Sequence, residues 1–464
     1  MGLSLLGLDD KRATAKPHRS FGLAAPPAPS SPRTFADPVA LPRADPAAVS
    51  VDTEVLSRID DVMREAISHR ETPGGVVLVG RGGKIIFERA YGRRSLEPQR
   101  ERTTLDTIYD LASLTKVVAT TPAILRLVEQ GRLRLGERLS TYLPEWRQPP
   151  PGTPTTSDAE PPPDSGHEGI TLRHLLTHTS GLDDPSTSFF AALSSGDRPP
   201  RERAELRRQL VRAIAGRSLL SPPGGRFLYS DLNFILLGEV VERITGEPLD
   251  EYVAREIFAP LGMRETGFRP PRSRWPRIAP TIWAGLSLFK SPRRSARRML
   301  RHEASLQNVT QLSGVAGHAG LFSTADDLAR YCQALLNLGE LAGARVLSPL
   351  SVAAMTRDQA QLPGGEQRGY GWDIHSPLSV PRGDLFGGGY GHTGWSGGSL
   401  WLVPEERLFI IVLTNRVHPH GGGSPSPLRA KIANIVAASL RSTTGPQVAA
   451  PEPSPVTGPQ PGQM

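Results

Sequence analysis

Apolar residues recur along this chain with two spacings, and the places where one gives way to the other mark its elements. Val55, Ile59, Val62, Met63 and Ile67 put an apolar stripe on a helix over residues 54–70, with Asp52 or Thr53 placed to cap it. "GGVVLVG" (74–80) and "KIIFERAYG" (84–92) read as two strands joined through "RGGK", a tight hairpin turn. Helical spacing returns from Ser113 toward Gln130, where Pro122 removes one ladder bond and predicts a bend. "LRHLLTH" (172–178) and "NFILLGEVVERITG" (233–246) are further helices, the second closed by Gly246. "TADDLARYCQALLNLG" (324–339) is another, capped by Ser323 or Thr324. "GSLWLVP" (398–404) and "RLFIIVLTN" (407–415) read as antiparallel strands before a last helix over 428–442.

Strands therefore lie toward both ends and helices in the middle. The economical fold is α/β of the α+β kind: one antiparallel sheet built from both ends of the chain, flanked by helices, with a mainly helical lobe inserted. Residues 51–105 and 365–444 are expected to form the sheet lobe of a domain spanning 51–444, and residues 106–364 the helical lobe.

Composition marks the margins of that domain. Glycine (47) and proline (45) make about a fifth of the 464 residues, and they cluster. Residues 1–50 and 445–464 are Pro- and Ala-rich and read as disordered, and residues 147–169 read as a Pro-rich surface insertion. A single cysteine, Cys332, excludes an intramolecular disulfide and a cysteine-based metal site. The formal net charge of +8 permits attraction to anionic surfaces without selecting one. No apolar run approaches the length of a membrane-spanning helix, and "MGLSLLGLDDKR" reads as no signal peptide.

The chemistry begins at "YDLASLTKVVAT" (109–120). Ser113 and Lys116 lie three residues apart, hence about one helical turn apart on one face. A serine hydroxyl becomes a nucleophile when a base takes its proton, and a helix start favours developing negative charge. Taken alone, S-x-x-K is a weak pattern. Two other stretches change its weight. "GGRFLYSDLNF" places Tyr229 and Asp231 at a helix entry, and "GGGYGHTGWSGGSLW" places His392, Thr393 and Gly394 at a strand entry after a glycine run.

S-x-x-K, then Y-x-(N/D), then (K/H)-T-G resembles the serine β-lactamase and penicillin-binding-protein superfamily, in its class C β-lactamase-like branch with D-alanyl-D-alanine peptidases and esterases. "HLLTHTSGL" (174–182), "GVAGHAGLFSTADDLA" (314–329) and "LTNR" (413–416) are similar to that branch too, so the resemblance covers about 54–440. It implies a serine hydrolase that forms an acyl-enzyme on an amide or ester. Ser113 would be the nucleophile, with Lys116 and Tyr229 sharing general-base and general-acid work. Asp231, His392, Thr393 and Gly394 would border the substrate, and the N–H groups of Ser113 and Trp395 would form the oxyanion hole. No metal or organic cofactor is implied. D-Amino-acid peptides of peptidoglycan type are the first substrate class, then small esters, then β-lactams. The resemblance suggests the cell envelope or periplasm, while the lack of a readable signal peptide leaves the cytoplasm open.

The sequence departs from the pattern at three places. Asp231 stands where well-known lactamases have Asn, and His392 where many members have Lys. Ser305 and Leu306 stand where close relatives have a His-Asp pair. Asp231 should raise the Lys116 pKa and favour Tyr229 as the base, but it also opposes a Tyr229 phenolate, so the direction for Tyr229 stays open. His392 brings a group whose ordinary pKa, about 6.5, lies near neutrality.

Other patterns have plainer readings. His174 and His178, at i and i+4, are explained by helix packing and a turn at Thr179–Gly181 rather than by a metal. The apolar-then-basic stretch 281–301 is a solvated segment or a contact for an anionic membrane surface. No nucleic-acid motif accompanies the charge. From another functional class, the alternative is a catalytically silent module binding wall peptides or a membrane.

Overall fold

The computed structural model describes residues 40–147, 166–184, 200–283, 299–306, 309, 312–421 and 423–441. Most of the expected Pro-rich insertion, the final tail and residues 284–298 of the apolar–basic stretch lie outside these.

Eight strands form one antiparallel sheet. Their spatial order is Glu101–Arg102, Lys84–Ser95, Gly74–Arg81, Leu408–Thr414, Ser399–Val403, Tyr390–Thr393, Asp373–His375 and Gln367–Arg368. The first hairpin thus pairs with the last strand, with Val77 opposite Val412. Alternation assigns the two faces. Val77, Val79, Trp401, Ile410 and Val412 pack on helices Thr53–Ser57, Ile59–Ser68 and Ser426–Ser439 through Leu56, Ile59, Met63, Leu428, Ile432 and Val436. Val76, Leu78, Leu400, Leu402, Ile411 and Leu413 join the larger core shared with the helical lobe. Each such aliphatic side chain contributes ~1.5–3 kcal/mol by leaving water, so the central strands are the anchor of the fold.

Local signals set several boundaries. Asp52 accepts the N–H groups of Glu54 and Val55 at 3.0 and 3.1 Å. Thr324 accepts Asp327 N–H at 3.3 Å, and Gly246 closes Asp231–Thr245 in the left-handed region.

Three expectations need correction. Residues 40–50 are not disordered: Leu41 is buried, Arg43 bridges to Ile85, and Asp45 caps a 3-10 turn over Pro46–Val49. The predicted helix from Ser113 is three pieces, a 3-10 turn (Ala112–Leu114), a π turn (Lys116–Thr120) and an α-helix (Thr121–Glu129). Thr121 N–H reaches back to Lys116 O, five residues away, so the ladder widens just before Pro122, which has no N–H to give. Finally, "LRHLLTH" is helical only over Leu172–Leu176. His178 lies beyond its end with φ of 56°, off the face that carries His174.

Candidate active site

Ser113 is delivered by a short strand and a strained residue. Tyr109–Asp110 pairs with Leu321–Ser323, and Leu111 N–H bonds to Leu321 O at 2.9 Å. Ala112 then takes φ of 46°, unfavourable for a side chain, and its N–H is held by Asp110 Oδ1 at 2.9 Å. Asp110 Oδ2 accepts both the N–H and the hydroxyl of Ser305, at 2.8 and 2.7 Å. Burial pushes the Asp110 carboxyl up against those bonds. Ser305, one of the two departures in that loop, thus tethers it to the turn before Ser113.

Lys116 is fully buried and its three N–H donors have three oxygen partners. They are Ser113 Oγ at 3.0 Å, Asp231 Oδ1 at 2.7 Å and the His318 carbonyl at 3.1 Å. Asp231 opens the helix capped by Ser230, where an acid suits the helix dipole. The His318 carbonyl arrives because Gly317 crosses that helix without a side chain: a Cβ there would meet Phe234 O at 2.1 Å. Burial pulls the ammonium pKa down, but the charges of Asp231 and then Tyr229 overcome it and hold it above the ordinary lysine value. Lys116 therefore donates to Ser113 and rests protonated.

Tyr229 has contacts on both faces of its chemistry. Its hydroxyl interacts with Lys116 and Ser113, and Lys116 Nζ lies 5.1 Å from its ring centroid. Burial raises its pKa, Lys116 lowers it and Asp231 raises it, and the net direction is up. His178 stacks on the ring at 4.5 Å. The His178 Nδ1 accepts Ser230 N–H at 3.2 Å, and burial, then Arg368, then Lys116 keep the ring neutral.

His392 faces the same ring at 6.1 Å between centroids. Its Nδ1–H donates to Thr393 O at 2.8 Å, which leaves Nε2 as an acceptor. Burial, then the charges of Arg368 and Lys116, hold its pKa well below the ordinary value, so it does not titrate near neutrality as the sequence led us to expect. After Thr393 the strand ends in a turn packed on the Ser113 segment. A Cβ on Gly394 would meet Leu111 O at 2.5 Å, and Ser396 Oγ donates to Asp110 O at 2.6 Å.

The fold thus gathers Ser113, Lys116, Tyr229, Asp231 and His392 around one point and packs the turn carrying Gly394 and Trp395 beside it. Three neighbours escaped the sequence reading, His318, Arg368 and Asp184, whose Oδ1 accepts Asp231 N–H at 3.2 Å, and a fourth, His178, was read there as packing alone. His318 is fully buried with neither ring nitrogen hydrogen-bonded to a described residue, and burial lowers it to about 4. The "GVAGHAG" phrase that carries it was the one available signal.

The chain is similar to several known proteins. The profile of the family described as Beta-lactamase matches residues 59–434. An N-acetylmuramyl-L-alanine amidase of Bacillus subtilis (strain 168) is 30% identical over 79% of this chain and 82% of its own. A protein of Escherichia coli (strain K12) named as a D-alanyl-D-alanine carboxypeptidase is 28% identical over 75% of this chain and 79% of its own. The solved structure of EstCE1, a hydrolase with promiscuous acyltransferase activity, is 27% identical and superposes with a TM-score of 0.60, covering 83% of this chain and 99% of that one.

Proposed function

The chain belongs to the beta-lactamase family of serine hydrolases, and from that premise we propose that it cleaves amide bonds of peptidoglycan-type peptides through an acyl-enzyme on Ser113. The observation that carries this reading is the buried Lys116 ammonium, 3.0 Å from Ser113 Oγ and 2.7 Å from Asp231. The names of the amidase and carboxypeptidase relatives support the substrate class.

In this reading the active form carries Tyr229 as a phenolate, a minor population at neutral pH, and that phenolate accepts the Ser113 proton as the hydroxyl attacks the carbonyl carbon. Lys116 donates all three of its N–H groups at rest, so it serves by charge, stabilising the phenolate. The N–H groups of Ser113 and Trp395 hold the tetrahedral oxyanion. Tyr229 then passes its proton to the leaving amine, and water releases the acyl group by the reverse sequence. His392, held neutral, offers an acceptor where a lysine would offer a charge. It therefore favours a substrate group with an N–H or O–H at that position over a carboxylate. That feature ranks amides and esters without a carboxylate at that position ahead of β-lactams and of peptides that place a terminal carboxylate there.

The test is a fluorophosphonate probe followed by mass spectrometry, then a panel of muropeptides. An adduct on Ser113, absent in Ser113→Ala, with release of D-alanine or of the stem peptide, is the expected result. An adduct that survives in Ser113→Ala removes the assignment, and cleavage of esters alone removes the substrate class.

A further inference from the structure

The helix Ser426–Ser439 begins badly for an arginine. Arg429 is its fourth residue, near the positive end of the helix dipole, and is 5% exposed. No carboxylate pairs with it among the described residues; the charge felt nearby is that of Arg416. Burial and then Arg416 push its guanidinium down to about 9. A buried cation without an acid is costly, so its location asks for an explanation.

Its hydrogen bonds supply one. Arg429 Nη2 donates to the carbonyls of Gly394 at 2.9 Å and Gly398 at 2.7 Å. Arg416 Nε donates to Trp395 O at 3.0 Å, and its guanidinium lies 5.6 Å from the Trp395 ring centroid. Gly394 N–H closes the turn on Gly398 O at 2.8 Å. Carbonyls of the turn at the end of the substrate-bordering strand are thus held by cations. In a planar trans peptide the Gly394 carbonyl and the Trp395 N–H point in opposite directions. A charge on the first therefore draws electron density away from the second.

We propose that Arg429 is a positioning residue that polarises the Gly394–Trp395 peptide and so strengthens the Trp395 N–H as a donor to the oxyanion. The inference rests on the reading of Trp395 as an oxyanion donor given above. It gives a chemical use to a guanidinium that the hydrolytic steps leave unassigned. Charge-assisted and chained hydrogen bonds strengthen one another in this way. The Ser113 N–H has a neutral counterpart: the Ala112 carbonyl accepts the Thr115 hydroxyl at 2.7 Å.

Two variants separate polarisation from mere stapling of the turn. Arg429→Lys keeps the charge, and Arg429→Gln keeps a neutral donor. Two readouts are needed: the rate of fluorophosphonate labelling at Ser113, and the affinity for phenylboronic acid, which becomes tetrahedral and anionic on the serine. Removing an oxyanion donor outright costs ~10²–10³-fold, so weakening one should cost Arg429→Gln about tenfold in both readouts. Arg429→Lys should lose less than Arg429→Gln in both. A folded Arg429→Gln that matches Arg429→Lys, or whose boronate affinity is unchanged, overturns the proposal. Should the Gln variant fail to fold, the Lys variant decides: both readouts kept within a few-fold support polarisation by charge, and a loss of about tenfold or more in both refutes it. Absence of labelling at Ser113 in the wild-type protein overturns the functional reading itself, and this inference with it.

Discussion

Two buried ion pairs have cations that feel Tyr229. Arg368 and Asp373 are 3.0 Å apart with side chains 0% and 3% exposed, and Lys116 and Asp231 are 2.7 Å apart at 0% and 17%. The first pair closes on structure. Its residues sit opposite each other on neighbouring strands, Arg368 also donates to Gly371 O, and Asp373 accepts the Ser379 hydroxyl. The second pair leaves one donor on Ser113, a group whose proton has to move in the proposed mechanism. In the proposed mechanism the same Coulomb attraction therefore serves packing in one place and chemistry in the other, and the third partner of the cation decides which. Arg368 still reaches the site through space, because its charge helps keep His178 and His392 neutral.

Breaking the pairs should separate these roles. Lys116→Met should lower kcat/KM roughly thousandfold, within the ~10²–10⁴-fold range for proton-transfer machinery. Its melting temperature should move little, since Asp231 is partly exposed at a helix start and can take up a proton. Steady-state kinetics and thermal unfolding of one preparation check both halves. Arg368→Met should do the reverse. Leaving Asp373 buried and unpaired should cost about 3–5 kcal/mol in denaturant unfolding, with a much smaller loss of turnover per folded molecule. His392 should also titrate closer to its ordinary value in that variant, which NMR of the imidazole would show. A stable Arg368→Met protein with lost turnover would exchange the two roles. Ser305→Ala tests the tether to Asp110 and is the mildest change. Loss of one of three bonds to that carboxylate should cost about 1 kcal/mol of stability and leave the acylation rate within a few-fold.

What the sequence made legible was local. Ser113–Lys116, Tyr229–Asp231 and His392–Gly394 each declare themselves within four residues, as do the Asp52 and Thr324 caps and the Gly246 stop. Arg368 and Arg429 did not, and His178 showed only as packing, because each is placed by contacts distant along the chain: Arg429 lies 35 residues from Gly394. The π turn at Lys116–Thr120 was hidden as well, since Pro122 predicts an interruption without saying which side absorbs it. Residues 40–50 failed for a different reason. Their Pro/Ala composition reads as disorder, while Leu41 and the Asp45 cap supply enough anchoring to order them.

The central claim is that Asp231 keeps Lys116 protonated and makes Tyr229 the base. Asp231 raises the pKa of both groups, so replacing it with a neutral amide should lower both. The kcat/KM–pH profile of Asp231→Asn against wild type, on one ester or peptide substrate, tests this most directly. Wild-type rates should climb with pH above neutrality, and the rising limb of Asp231→Asn should move to lower pH. A limb that stays in place while the rate falls equally at every pH would contradict the account and leave Asp231 as a structural hydrogen-bond acceptor.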